Sequence, residues 1–125
     1  MNVPGNLKYT NDHEWALIEG PEAVIGITDY AQGQLGDVVY VELPQIGSRV
    51  NKGESLGTIE AVKTVADVFA PLSGEVIAVN DALKNAAELL NKAPYTDGWV
   101  ARLKISHPAE AEQLLSPDDY SKLVG

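Results

Sequence analysis

Cysteine is absent from this 125-residue chain, and Phe and Met occur once each. Without cysteine there is no disulfide framework and no cysteine metal site. With one Phe against many Val, Ile, Leu and Ala, the core is expected to be aliphatic, as suits small sheets of β-branched residues. Basic residues are also scarce: nine Lys and Arg face eighteen Asp and Glu, a formal charge of −9. That balance argues against nucleic acid, whose phosphates need a basic surface. It argues equally against anionic membranes. No run of residues approaches the ~20 apolar positions of a membrane span. Met1-Asn2-Val3-Pro4 opens without a charged-then-apolar leader, so the expected location is the cytoplasm, or the mitochondrial matrix for a processed organellar form.

The length fits one domain. Residues 15–19 and 23–27 read as two strands joined at Gly20-Pro21-Glu22. Thr28 then caps a short helix with Asp29 in its first turn, and Gly36 ends it. Asp37 to Leu43 alternates, with Val38, Tyr40 and Glu42 on one face and Val39, Val41 and Leu43 on the other. Strands are also expected over 55–61, 66–70, 75–79 and 99–105, with a strand stub near 48–50 and a single helical turn at 86–90. The core is placed at about 13–105. The tail from 106 to 125 reads as a helical appendage, with helical propensity over 109–115 after Pro108, and a second start at Ser116-Pro117. Gly36-Asp37-Val38-Val39-Tyr40-Val41 is echoed by Gly74-Glu75-Val76-Ile77-Ala78-Val79, 38 positions later. A duplicated strand unit is one way to build two small facing sheets.

Between the two copies lies Glu60-Ala61-Val62-Lys63-Thr64-Val65-Ala66-Asp67. It reads as two arms meeting at Lys63, without Gly, Asn, Pro or Ser at the junction. A type I turn accepts such residues. An amine at the apex with Val62, Thr64 and Val65 around it has the form of a recognition site for a modifying enzyme. Other residues carry less. His13 and His107 are far apart and have no ligand spacing, so no metal site is expected. His13 is read as a packing or hydrogen-bonding residue, His107 as a helix start, and Trp15 and Trp99 as core or cleft walls. The glycines do not form a phosphate-binding loop.

Taken together these segments resemble the H proteins of the glycine cleavage system. The similarity runs through His13-Glu14-Trp15, Gly26-Ile27-Thr28-Asp29-Tyr30-Ala31-Gln32, Leu35 to Pro44, Glu60 to Pro71, Ser73-Gly74-Glu75-Val76, Pro94 to Trp99 and Leu114 to Tyr120, in the family's order. Ala61 and Ala66 stand where the family often has Ser. Biotin carriers place Met on both sides of their lysine. Lipoyl domains of 2-oxo-acid dehydrogenases usually have Asp before it and lack the early motif and the tail. The resemblance implies a mainly β, lipoyl-type flattened barrel of two antiparallel sheets with pseudo-twofold symmetry, a short helix after the first hairpin and a C-terminal helical extension.

It also implies lipoate in amide linkage to Lys63, with Glu60, Val62, Thr64 and Asp67 read by lipoate-attaching enzymes. The implied role is a non-catalytic, monomeric carrier. A pyridoxal-phosphate glycine decarboxylase loads an aminomethyl group, a tetrahydrofolate-dependent aminomethyltransferase takes the one-carbon unit, and dihydrolipoyl dehydrogenase reoxidises the arm. Glu14 and Asp67 are the candidates for a pocket that holds the loaded, cationic arm. Two alternatives stand beside this reading: a lipoyl relay delivering lipoyl groups to other enzymes, and an unmodified interaction module of the same fold.

Overall fold

The computed structural model describes residues 2–125, and among them nine strands form two antiparallel sheets. The larger sheet has the order β1 (Lys8–Tyr9), β2 (Glu14–Glu19), β3 (Glu22–Ile27), β9 (Ala101–Ile105), β8 (Gly74–Val79) and β5 (Arg49–Val50). The smaller sheet has the order β4 (Val38–Glu42), β6 (Ser55–Ala61) and β7 (Val65–Phe69). The sheets face each other as a flattened, barrel-like sandwich. Its interior is aliphatic. Ile27, Val38, Val41, Ile59, Ala61, Val68 and Ala101 form one buried cluster, and Ala16, Ile25, Leu56, Leu72, Val76 and Leu103 belong to another.

Helix α1 (Asp29–Leu35) links β3 to β4. Thr28 caps it by accepting from Ala31 N–H at 3.1 Å, and Gly36 ends it at φ +77°. Helix α2 (Leu89–Lys92) lies between β8 and β9, and α3 (Pro117–Val124) closes the chain, capped by Ser116.

Several local expectations need correction. The strand at Asp37–Leu43 does not alternate strictly: a register shift between Val38 and Tyr40 leaves Val39 and Tyr40 both exposed, while Val38 and Val41 are buried. One extra residue on a strand switches the facing of the residues after it, and period-two patterning cannot show it. The helical turn expected at 86–90 is instead a 3-10 turn at Asp81–Lys84 plus α2. The helix expected over 109–115 is a 3-10 helix at Pro108–Gln113. Strand β1 escaped notice because two residues carry no periodicity. The internal echo survives in detail, since β8 carries its own register shift between Val76 and Ala78, at the positions equivalent to Val38 and Tyr40. The copies then diverge: β4 lies at a sheet edge and β8 inside a sheet.

Candidate functional site

Lys63 sits at the tip of the β6–β7 hairpin. The Ala61 N–H donates to Thr64 O at 2.8 Å, which closes the turn. Val62, Lys63, Thr64 and Val65 are all exposed, Val62 to 75%. A hairpin tip without Gly or Asn needs support from outside, and it has it. The Val62 N–H donates to Asp37 O at 3.0 Å. Asp37 in turn follows Gly36, whose carbonyl accepts from Asn91 Nδ2 at 2.8 Å. Asn91 Oδ1 accepts from Val38 N–H at 2.9 Å, and its Nδ2 also reaches Gln32 Oε1 at 3.1 Å. One side-chain amide thus ties the end of α1 to the start of β4, directly beneath the hairpin. The Lys63 stem lies across Gly36, with Cε 3.3 Å from where a β-carbon on that glycine would be. Sequence reasoning missed Asn91, because its partners are more than fifty positions away and nothing local marks it.

The outer face of the smaller sheet is acidic and apolar together. Register places Tyr40, Glu60 and Val65 in one cross-strand row and Glu42, Thr58 and Asp67 in the next. Glu60 and Asp67 are both exposed there. The Asp67 carboxylate accepts from Ser55 Oγ at 3.0 Å.

Glu14 has a different setting. Its side chain is 3% exposed and lies at the start of β2, paired with Ile27. Thr10 Oγ1 donates to Oε1 at 2.6 Å, and Phe69 N–H donates to Oε2 at 3.2 Å. Burial pushes the carboxyl up to about 7; the two hydrogen bonds pull the other way, and the Asp12 charge adds a smaller upward push. Glu14 lines a cleft of about 180 Å³ with Thr10, Asp12, Lys52, Phe69 and Gln113. Lys52 Nζ donates to Gln113 Oε1, so the C-terminal segment contributes a wall. Asp67 is not among the lining residues, so the structure does not bring the Glu14 and Asp67 carboxyl groups into one cavity.

His13 has the positive φ of 70° and is the only non-glycine to do so among the described residues. Its Nδ1 lies 2.9 Å from Tyr120 Oη, which lies 2.7 Å from Thr28 Oγ1. Tyr120 stacks on Tyr9 with centroids 4.5 Å apart. Burial lowers the His13 pKa and raises that of Tyr120 to about 12, so both stay uncharged at neutral pH. The role is structural: this relay joins α3 to the start of α1. Trp15 is buried and Trp99 half-buried, both lining a separate groove. Among the described residues no cluster of His, Asp and Glu is arranged to hold a metal, and no helix is long and apolar enough to cross a membrane.

Comparison with known proteins adds a family. The model of the family described as "Glycine cleavage H-protein" matches residues 7–125. A glycine cleavage system H protein of Chlorobaculum parvum is 54% identical over 127 residues, covering 100% of this chain and 99% of its own length. One of Bacteroides thetaiotaomicron is 51% identical over 124 residues, covering 99% and 98%. A crystal structure of a glycine cleavage system H protein from Mycobacterium marinum superposes with a TM-score of 0.88 at 36% identity, covering 96% of this chain and 97% of that one.

Proposed function

Since the chain belongs to the glycine cleavage H-protein family, we propose that it is a non-catalytic, monomeric carrier bearing lipoate on Lys63. The carrier acts in the cytoplasm, or in the matrix in an organellar form. It shuttles an aminomethyl group from a pyridoxal-phosphate glycine decarboxylase to an aminomethyltransferase and is then reoxidised by dihydrolipoyl dehydrogenase. Residues 1–125 work as one carrier domain, with the segment from 106 onward as an appendage. The observation that carries the reading is an exposed amine at a hairpin tip pinned from beneath by Asp37, Gly36 and Asn91.

The residues present fit the group. An attaching enzyme needs an accessible lysine on a fixed backbone, and the tip supplies both. Glu60, Val62, Thr64 and Asp67 are exposed around it and form the surface such an enzyme reads. A bound lipoyl group supplies a dithiolane that accepts a carbon group, gives it up and is reoxidised. The rest falls to the chain: it presents the tether, limits its reach and shelters the amine cargo. Glu14 is placed for that shelter. An ammonium brought beside its carboxyl favours the ionised form, and the low local polarity strengthens the pairing. Asp12 adds negative charge at the same cleft, while Lys52 is held aside by Gln113.

Lys63→Arg keeps the positive charge and removes the acylable amine. The variant is expected to melt with the parent and to support no glycine-dependent turnover when the four-component system is reconstituted. Turnover at the parental rate by Lys63→Arg would end the carrier reading.

A further inference from the structure

The peptide group that holds the hairpin tip is itself held by one side chain. Val62 N–H donates to Asp37 O at 3.0 Å, and among the described residues this is the one hydrogen bond between the turn 62–64 and the rest of the fold. Asp37 O belongs to the same peptide as Val38 N–H, and that N–H donates to Asn91 Oδ1 at 2.9 Å. The preceding peptide is fixed as well, since Asn91 Nδ2 donates to Gly36 O at 2.8 Å. One amide therefore sets two successive peptides, and the second aims its carbonyl at the tip. Gly36 makes this necessary. A glycine has no β-carbon to restrict its backbone, so sterics alone do not orient the peptide that follows it. Hydrogen bonds do: Gly36 N–H donates to Gln32 O at 3.0 Å, and its carbonyl accepts from Asn91. Bonds in such a chain polarise one another, which strengthens the contact to Val62.

Asn91 is itself firmly seated. Leu90 beside it is fully buried, in the same cluster as Leu35, Val38 and Ala61. Gly98 packs against α2, where a β-carbon would fall 2.6 Å from Leu89 O, and its N–H donates to Ala93 O at 2.8 Å. The internal repeat does not account for the amide. In the first copy the equivalent loop carries Asn51-Lys52, and there Lys52 N–H donates to Ser73 Oγ at 2.8 Å. Asn51 is exposed, and among the described residues only its main chain is bonded, to Glu54. The side-chain clasp occurs only where the Lys63 hairpin rests on it. We propose that Asn91 is a positioning residue for acylation of Lys63: its amide locks the backbone at 36–38, and the locked Asp37 carbonyl holds the tip in the conformation that a lipoate-attaching enzyme accepts. This inference rests on Lys63 being the lipoyl acceptor. The acyl donor is lipoate activated by ATP as a mixed anhydride. The amide bond forms at Lys63 Nζ as the anhydride bond breaks, and the amine gives up its protons to solvent. Asn91 acts through the main chain and not on the reacting atoms.

A tip that is no longer held samples many conformers. The enzyme's apparent affinity then falls by the fraction of chains that present the held one, while the captured complex reacts as before. The test is acylation of the unlipoylated full chain by a lipoate-attaching enzyme with lipoate and ATP, followed by intact mass. Asn91→Ala removes all the contacts of the amide, and Asn91→Leu fills a similar space with an apolar group. Both should raise the KM for the chain roughly tenfold and leave kcat near the parental value. The Val62 amide should lose its protection from hydrogen exchange in both. Val76→Ala trims the separate cluster around Leu103 and should keep the parental KM. A parental KM in Asn91→Leu overturns the proposal and reduces Asn91 to filling space. An equal rise in KM in Val76→Ala also overturns it, because general destabilisation then suffices. A Val62 amide that exchanges in the parent as fast as an unstructured one overturns it without any variant. Each of these results leaves the carrier reading intact as long as the parent is acylated on Lys63; no acylation there overturns both.

Discussion

The stem of Lys63 crosses the α-carbon of Gly36, a residue held in a backbone conformation that side chains rarely adopt. Gly36 has φ +77° and ψ −155°, a region open almost only to glycine, and any β-carbon there would lie 3.3 Å from Lys63 Cε. Gly36→Ala is therefore expected to cost about 1–3 kcal/mol in backbone strain. It should also displace the lysine stem. Chemical denaturation reads the first effect, and the initial rate of acylation by a lipoate-attaching enzyme reads the second.

Gly26 faces Trp15 across the β2–β3 ladder, and a β-carbon on it would fall 2.5 Å from the indole. Trp15 cannot step aside easily: it is 2% exposed and its Nε1–H donates to Pro94 O at 3.0 Å. Gly26→Ala should lose about 1–3 kcal/mol or more through overpacking. Thermal unfolding checks this, and the Trp15 fluorescence of the folded variant should shift as the indole leaves its site.

The Glu14 carboxyl gives a pH dependence with a definite sign. Its folded-state value of about 7 lies above the ordinary 4.5, so the folded chain binds the proton more tightly than the unfolded chain. The associated stability is complete below about pH 4.5 and is lost as pH rises through 7. The loss approaches about 3 kcal/mol at most. Glu14→Gln removes this term and keeps an acceptor for Phe69 N–H. The variant's advantage over the parent should be largest above pH 8 and should shrink toward pH 4, as measured by urea unfolding at each pH. An advantage independent of pH would show that Glu14 does not titrate near 7.

Ser73 anchors the C-terminal segment to the sheet. Its hydroxyl donates to Glu110 Oε2 at 2.9 Å and accepts from Lys52 N–H at 2.8 Å, and its N–H donates to Glu110 Oε1 at 2.8 Å. Ser73→Ala leaves the Lys52 backbone donor without its partner and should cost about 1–3 kcal/mol. Exchange of backbone amides at 108–115 should rise in the same variant, because that segment forms the outer wall of the Glu14 cleft.

The strands other than β1, the cap at Thr28, the stop at Gly36 and the tip at Lys63 are legible in the residues. Each depends on local chemistry: alternation, a side-chain cap, a glycine end, an amine without turn formers. What was not legible depends on the third dimension. The bulge in β4 arises from pairing with β6, and no period-two pattern predicts it. Asn91 and Tyr120 look like ordinary helix residues until the fold sets them against Gly36 and Thr28. Glu14 was singled out through family resemblance; its burial against Phe69 follows only from the way two sheets meet. The resemblance groups Asp67 with Glu14 because Glu14 lies in the early motif and Asp67 follows the lysine turn. Strand parity turns its carboxylate to the outer face of the smaller sheet, where it accepts from Ser55 Oγ at 3.0 Å and does not line the Glu14 cleft.

The most direct measurement is the intact mass of the chain isolated from cells supplied with lipoate, with peptide mapping of the 60–71 segment. A mass increased by one lipoyl group, located on Lys63 and absent from Lys63→Arg, is the expected result. An unmodified mass in such cells, or a lipoyl group on another lysine while Lys63 stays free, would contradict the account.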